Sequence, residues 1–205
     1  MPRIDDLLPL IAPYAPAAPK PAMRNALRMA AIEFCERTSC WRDRLTSVID
    51  AGPSHELYDP QFSAIHRIET AWIDDRELKP RYFGEFSPDE LRAEGGACWI
   101  TQIDTTVVSV VPNQAGTLVL DVILKPALSG DRFEDETPGV FILQYPRQIA
   151  VGALARLLSI PGQSWTNFVE AEKNEAKFER ECRRNANAHH NGMHRPPKRV
   201  RPRFL

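Results

Sequence analysis

Residues 118–124 read Leu-Val-Leu-Asp-Val-Ile-Leu, and the fold class turns on how this stretch is read. Leu118, Leu120, Val122 and Leu124 fall on one side of an extended backbone, with Val119, Asp121 and Ile123 on the other. A period of two predicts a strand with one drier and one wetter face. Working outward, the same reading predicts strands at 44–49, 65–73, 98–103 and 106–111. Turn material separates them at Ala51-Gly52-Pro53 and at Asn113 to Gly116. Ser87-Pro88-Asp89-Glu90 predicts a short, capped helix inside this block.

The flanks change period. In residues 21–41, Met23, Ala26, Leu27, Ala30, Ala31, Phe34 and Trp41 follow the three-four spacing of one helical face, and Pro21 suits a first turn. Helical spacing returns near Pro138. Val140, Phe141, Tyr145, Ile149, Ala153, Leu154, Leu157 and Leu158 then mark an amphipathic helix that stops at Ile160-Pro161-Gly162. A last helix is predicted from about Ser164 to Asn187, with Phe168, Ala171, Phe178 and Cys182 as a thin apolar face among dense charges. The expectation is therefore an α+β chain: a helical bundle of the N-terminal helix and two C-terminal helices, with a small antiparallel β unit inserted. Its divisions are 1–43 (N-terminal segment and helix), 44–137 (β-rich insert), 138–188 (helices completing the bundle) and 189–205 (an extended basic arm).

Composition narrows the class. The 205 residues are 43% hydrophobic and 26% charged, as in a globular chain of about one domain. No apolar run is long enough to span a bilayer. Asp5 and Asp6 precede the N-terminal apolar patch and Pro9 and Pro13 interrupt it, so it does not read as a secretory signal, and an intracellular origin is expected. Cysteines 35, 40, 98 and 182 form no CxxC pair and are expected as reduced thiols, with Cys35 a buried hydrophobe.

Chemistry-bearing groupings are sparse. Gly95-Gly96-Ala97-Cys98-Trp99 echoes the surroundings of a papain-like nucleophile, yet Ile100 to Val108 reads as strand where a helix is needed. Cys182, His189, His190 and His194 lack a carboxylate to orient an imidazole and read as a solvated segment rather than a metal site. His55 and His66 are isolated. The paired acids Asp5-Asp6, Asp74-Asp75 and Glu134-Asp135-Glu136 fall at presumed turns or ends, and phosphate-binding glycine patterns are absent. The sequence assembles no nucleophile, base and oxyanion donor, so no enzyme, cofactor or metal is expected.

The C-terminus carries the strongest signal of function. Seven of the 26 Lys and Arg residues lie from Arg183 onward with no acid, so the other 19 stand against 27 acids and residues 1–182 carry a formal −8. The stretch Arg195, Pro196, Pro197, Lys198, Arg199, Val200, Arg201, Pro202, Arg203, Phe204, Leu205 has little to bury and reads as an arm that orders on a partner. Three uses compete: neutralising phosphates, serving as a localisation signal or Pro-rich ligand, and docking in an acidic groove of a protein. Phe204 and Leu205 favour the last, because an aromatic and an aliphatic side chain make a good pocket anchor.

Three stretches also resemble the head-to-tail adaptor (connector) proteins of tailed, especially short-tailed, bacteriophages. The first is Leu8-Pro9 through Ile11-Ala12-Pro13-Tyr14-Ala15-Pro16 and Ala18-Pro19 to Pro21, leading into Ala31-Ile32-Glu33-Phe34-Cys35-Glu36-Arg37-Thr38 and Trp41-Arg42. The second is Ala150 to Trp165 followed by a long charged helix, and the third is the closing Arg199 to Leu205. The β block matches only in kind. The resemblance implies a twelve-subunit ring of identical copies in the virion neck, assembled in the host cytoplasm. In that family the C-terminal arm docks on the portal protein, tail or nozzle proteins take the opposite face, and double-stranded DNA passes through the channel without sequence specificity. By position, Arg195 to Leu205 would be the portal-docking arm. Another neck component (stopper or tail-completion protein) and a nucleic-acid-binding accessory protein acting through the basic tail remain as alternatives.

Overall fold

A computed structural model describes residues 4–57, 63–127 and 144–190. The chain begins in short helical turns around α1 (Leu8–Ile11) and enters α2 (Lys20–Thr38). The strands follow: β1 (Arg42–Ile49), β2 (His55–Glu56), β3 (Ser63–Ile73) and β4 (Arg76–Pro80). After the short α3 (Pro88–Arg92) come β5 (Trp99–Gln102), β6 (Val107–Val111) and β7 (Gly116–Pro126). Two helices close the described chain, α4 (Pro146–Leu158) and α5 (Phe168–His190).

The expectation of a helical bundle carrying a small antiparallel insert is overturned. All seven strands join one mixed sheet in the order β1-β7-β3-β4-β5-β6-β2, curled into a nearly closed barrel. Its pairs are antiparallel except β4 with β5. The sheet has a core of its own, with Ile73, Leu78, Ile100, Leu118, Leu120 and Leu124 almost wholly buried. The physical reason lies in β3 and β7. Each is eleven residues long, and they pair from Ser63 opposite Pro126 to Ile73 opposite Leu118. That register is a long-range choice that no local periodicity encodes. The drier side of β7 is as read, since Leu118, Leu120, Val122 and Leu124 are buried, but Ile123 on the other side is buried too. β4 went unread because Leu78 is the one buried side chain of its five residues.

The helices form a second layer with a separate core. The apolar face of α2 is buried at the expected Met23, Ala26, Leu27, Ala30, Ala31 and Phe34. The helix ends three residues short of the predicted Trp41. Ser39 adopts a left-handed conformation (φ 53°) and returns its N–H to the Cys35 carbonyl, closing the helix. Trp41 instead packs against both cores, and its carbonyl accepts from the Leu124 N–H at 2.8 Å. Lys125 Nζ to Glu36 at 2.7 Å ties the layers at the same seam. α4 starts at Pro146; the part of its prediction from Pro138 to Leu143 lies outside the described residues. Gly152 of α4 leaves a notch for the ring of Phe178 on α5: a Cβ there would stand 2.6 Å from the ring. The expected cap on α3 is present as a full capping box between Ser87 and Glu90.

Candidate functional site

Helix α5 and the corner that launches it present both charged and apolar side chains to solvent. Asn167 caps the helix, accepting the Glu170 N–H on its Oδ1 at 3.1 Å, while its own N–H reaches the Leu158 carbonyl at 2.9 Å. Inward, α5 buries just Ala171, Phe178 and Cys182 among its described side chains. Phe178 is enclosed by the Phe34 ring (centroids 6.2 Å apart) and by the Arg156 and Arg37 guanidinium groups. Burial pushes the Cys182 thiol up to about 11 and pulls the Arg156 pKa down, even though that guanidinium contacts Glu33.

Outward, α5 carries five acids and five bases between Glu170 and Arg184. Several pair within the helix, as Lys173 with Glu170 and Arg183 with Glu179, both near 2.8 Å or below. Such exposed pairs add little stability. Phe168, expected on the packing face, is instead 60% exposed, and Val169 is 64% exposed. With Ile160 they place an apolar corner at the N-terminal end of the helix. At the other end, Ala186 and Asn187 border a hollow of about 360 Å³ lined by Arg37, Arg42, Arg67 and Glu69. Over 23 residues the helix separates its two ends by about 33 Å.

The other sequence candidates fall apart in three dimensions. Cys98 directly precedes β5, so it has no helix N-terminus to activate it; Arg76 Nη2 donates to its sulfur at 3.2 Å. His55 is buried with Nδ1 3.5 Å from Asp50, and His66 lies half-buried on β3, where burial lowers its pKa. Asp74 and Asp75, both at positive φ, make the two-residue turn between β3 and β4. The Asp74 carboxylate accepts the Thr117 N–H at 2.8 Å and fills the space left by the missing side chain of Gly116, so its role is architectural. Asp5 is engaged by Arg24 Nε at 2.6 Å. Glu134-Asp135-Glu136, His194 and the arm Arg195 to Leu205 lie outside the described residues, as do the side chains of His189 and His190. Among the described residues no group of three or more His, Cys, Asp or Glu could hold a metal, and no helix is long and apolar enough to cross a membrane.

Sequence reading missed the apolar corner, because Phe168 has the spacing of the buried stripe. Phe168 is the first residue of α5 and stays exposed, and the buried stripe starts at Ala171. No protein-family profile matches the chain, and no curated protein matches it significantly.

Proposed function

We propose that the chain is the head-to-tail adaptor of a tailed bacteriophage: a structural, non-enzymatic subunit of a ring in the virion neck. The carrying observation is the two-ended helix α5, with an apolar corner at one end and a run toward the basic arm at the other. An adaptor must hold unlike partners on opposite sides, and a charge-dense helix about 33 Å long, seated on its own subunit by one thin stripe, serves that task. Its charged outer faces suit a neighbouring copy, because a heterologous ring interface covers what one subunit leaves exposed. The arm from Arg195 to Leu205 is the segment we assign to the portal, with tail or nozzle proteins on the opposite face. The formal −8 of residues 1–182 fits a channel wall, since like charge keeps passing DNA from adhering.

The resemblance rests on the sequence stretches at the two ends of the chain, and the seven-stranded sheet between them replaces the small insert that was expected. The test is capture of the cognate portal and of double-stranded DNA by the full chain and by residues 1–194, at low and moderate salt. Arm-dependent portal capture that persists at moderate salt supports the adaptor. Capture of DNA alone, lost at moderate salt, replaces it with the nucleic-acid accessory protein.

A further inference from the structure

The barrel is nearly rather than fully closed, and the opening has a defined cause. β4 stands between β3 and β5 but is five residues long. It pairs with β3 through Arg76–Leu78 and with β5 through Lys79–Pro80, and its last sheet-like bond is Arg81 N–H to the Ile100 carbonyl at 3.0 Å. The chain then turns off through the helical turn Phe83–Glu85. Arg81 pins that departure, lying over the Phe86 ring at 4.4 Å and the Trp99 ring at 5.5 Å while bonding Glu90 at 3.2 Å. β3 and β5 continue past the point where β4 leaves. Carried forward, the registers 78 opposite 71 and 80 opposite 100 put the vacated positions 82–83 across from His66–Arg67 and from Gln102–Ile103.

The vacancy is a slot of about 610 Å³, within the range of ligand-binding clefts. Its far end is sealed by Ile65 N–H to the Thr105 carbonyl at 2.9 Å and by Gln102 Nε2 to the Ile65 carbonyl at 3.0 Å. Between the two ends, no strand among the described residues pairs with β3 along 66–70 on the side away from β7. Two main-chain edges therefore flank one missing strand, and an extended backbone satisfies both at once. Ile65, Ile68 and Ile100 supply apolar lining, and the rim carries Tyr82 (81% exposed), Phe83 and Ile103.

The charges select the guest. Arg67, Arg81, Lys125 and His66 line the slot against Asp104, the one acid in the lining. Lys125 is committed to Glu36 and Arg81 to Glu90, whereas Arg67 is 61% exposed and its nearest acid, Glu69, is 3.9 Å away. A phosphate backbone needs a track of uncommitted cations, and this slot offers one. The chain's own arm brings five further cations and three prolines without N–H donors, so it suits neither the charge nor the edges.

We propose that this slot docks an extended segment of a partner protein, which adds as the missing continuation of β4. The segment contributes about three residues of main chain between the two edges, with β-branched or aromatic side chains and a carboxylate beside Arg67. It pairs parallel to one neighbour and antiparallel to the other, as β4 does, and it is independent of what the arm binds.

The experiment selects from a random octapeptide library on the immobilised full-length chain. The best-enriched peptide is then made, and amide hydrogen exchange is followed with and without it. Enriched peptides should combine strand-forming residues with an acid, slow exchange within 66–70 and at Gln102, and lose binding when alternate peptide nitrogens are methylated. Arg67→Glu, at an exposed position and checked for unchanged melting, should weaken the peptide about two- to fivefold and turn selection toward basic peptides. No enrichment over bare support overturns the proposal, as does protection of other amides. Protection of 66–70 by a twelve-residue oligothymidylate instead of by peptide replaces it with a nucleic-acid groove.

Discussion

Substituting Gly152 by alanine tests how α5 is seated. The new Cβ would stand 2.6, 2.8 and 3.0 Å from three carbons of the Phe178 ring, well inside the ~3.5–4.0 Å of normal carbon contact. The ring cannot retreat freely, because Phe34, Arg37 and Arg156 surround it and none of its surface is exposed. Overpacking of this kind costs about 1–3 kcal/mol. Alanine returns up to ~1 kcal/mol through its better helix propensity in the middle of α4. The net expectation is a loss of about 1 kcal/mol, or a melting temperature lower by about 2–4 °C for a chain of this size. Thermal and urea melts of Gly152→Ala measure it, and Gly152→Ala with Phe178→Leu supplies the cycle. If the clash is the cause, the double variant is less destabilised than the sum of the single changes. A Gly152→Ala protein as stable as the parent, or more so, refutes the reasoning and means that the two helices slide apart at no cost.

Three further outcomes are expected. Arg44 holds the Asp121 carboxyl below its ordinary 3.8 through a hydrogen bond of 2.6 Å, helped by Thr70. The unfolded chain therefore binds more protons there, so this pair's contribution is present above about pH 4 and fades as pH falls. Asp121→Asn should flatten the acid limb of a stability-against-pH curve slightly, because solvent screens the pair; an unchanged slope contradicts the assignment. Burial raises the Cys35 and Cys182 thiols, while Cys40, lowered by the hydrogen bond from Cys35, and Cys98 are half-exposed. Iodoacetamide at pH 8 should thus modify Cys40 and Cys98 in the folded chain and reach Cys35 and Cys182 on denaturation, as peptide mass mapping would show; early labelling of Cys182 refutes the packing of α5. Removal of residues 195–205 should leave the melting temperature of the free chain unchanged, since the described residues alone already supply two extensive cores; a clear drop would place the arm in the fold.

The parts legible in advance were those whose cause is local. The buried face of α2 follows from the spacing of Met23, Leu27, Ala30, Ala31 and Phe34, and the α3 cap from Ser87 and Glu90 three residues apart. The strand at Leu118–Leu124 follows from its period of two. Errors came where a residue's neighbour lies far along the chain. Trp41 has helical spacing, yet the left-handed Ser39 turns it out of α2 to join the two cores. Phe168 has the spacing of Phe178, yet as the first residue of α5 it stays in solvent. The β4 sequence Arg-Glu-Leu-Lys-Pro carries too little apolar pattern to announce a strand, and its early end is what opens the slot.

By itself the sequence determined where helix and strand periods begin and change, which cysteines are buried beside apolar neighbours, and that a basic arm follows an acidic body. These depend on side chains within a few positions of one another and on charge, which adds without regard to folding. Tertiary structure alone decided that the β block is a seven-stranded, nearly closed barrel with its own core, that α5 has an apolar corner, and that β3 and β5 outrun β4. Each of these is a pairing or a vacancy between residues distant in sequence. It is settled by which register buries the most apolar surface, a sum over the whole molecule that no single stretch contains.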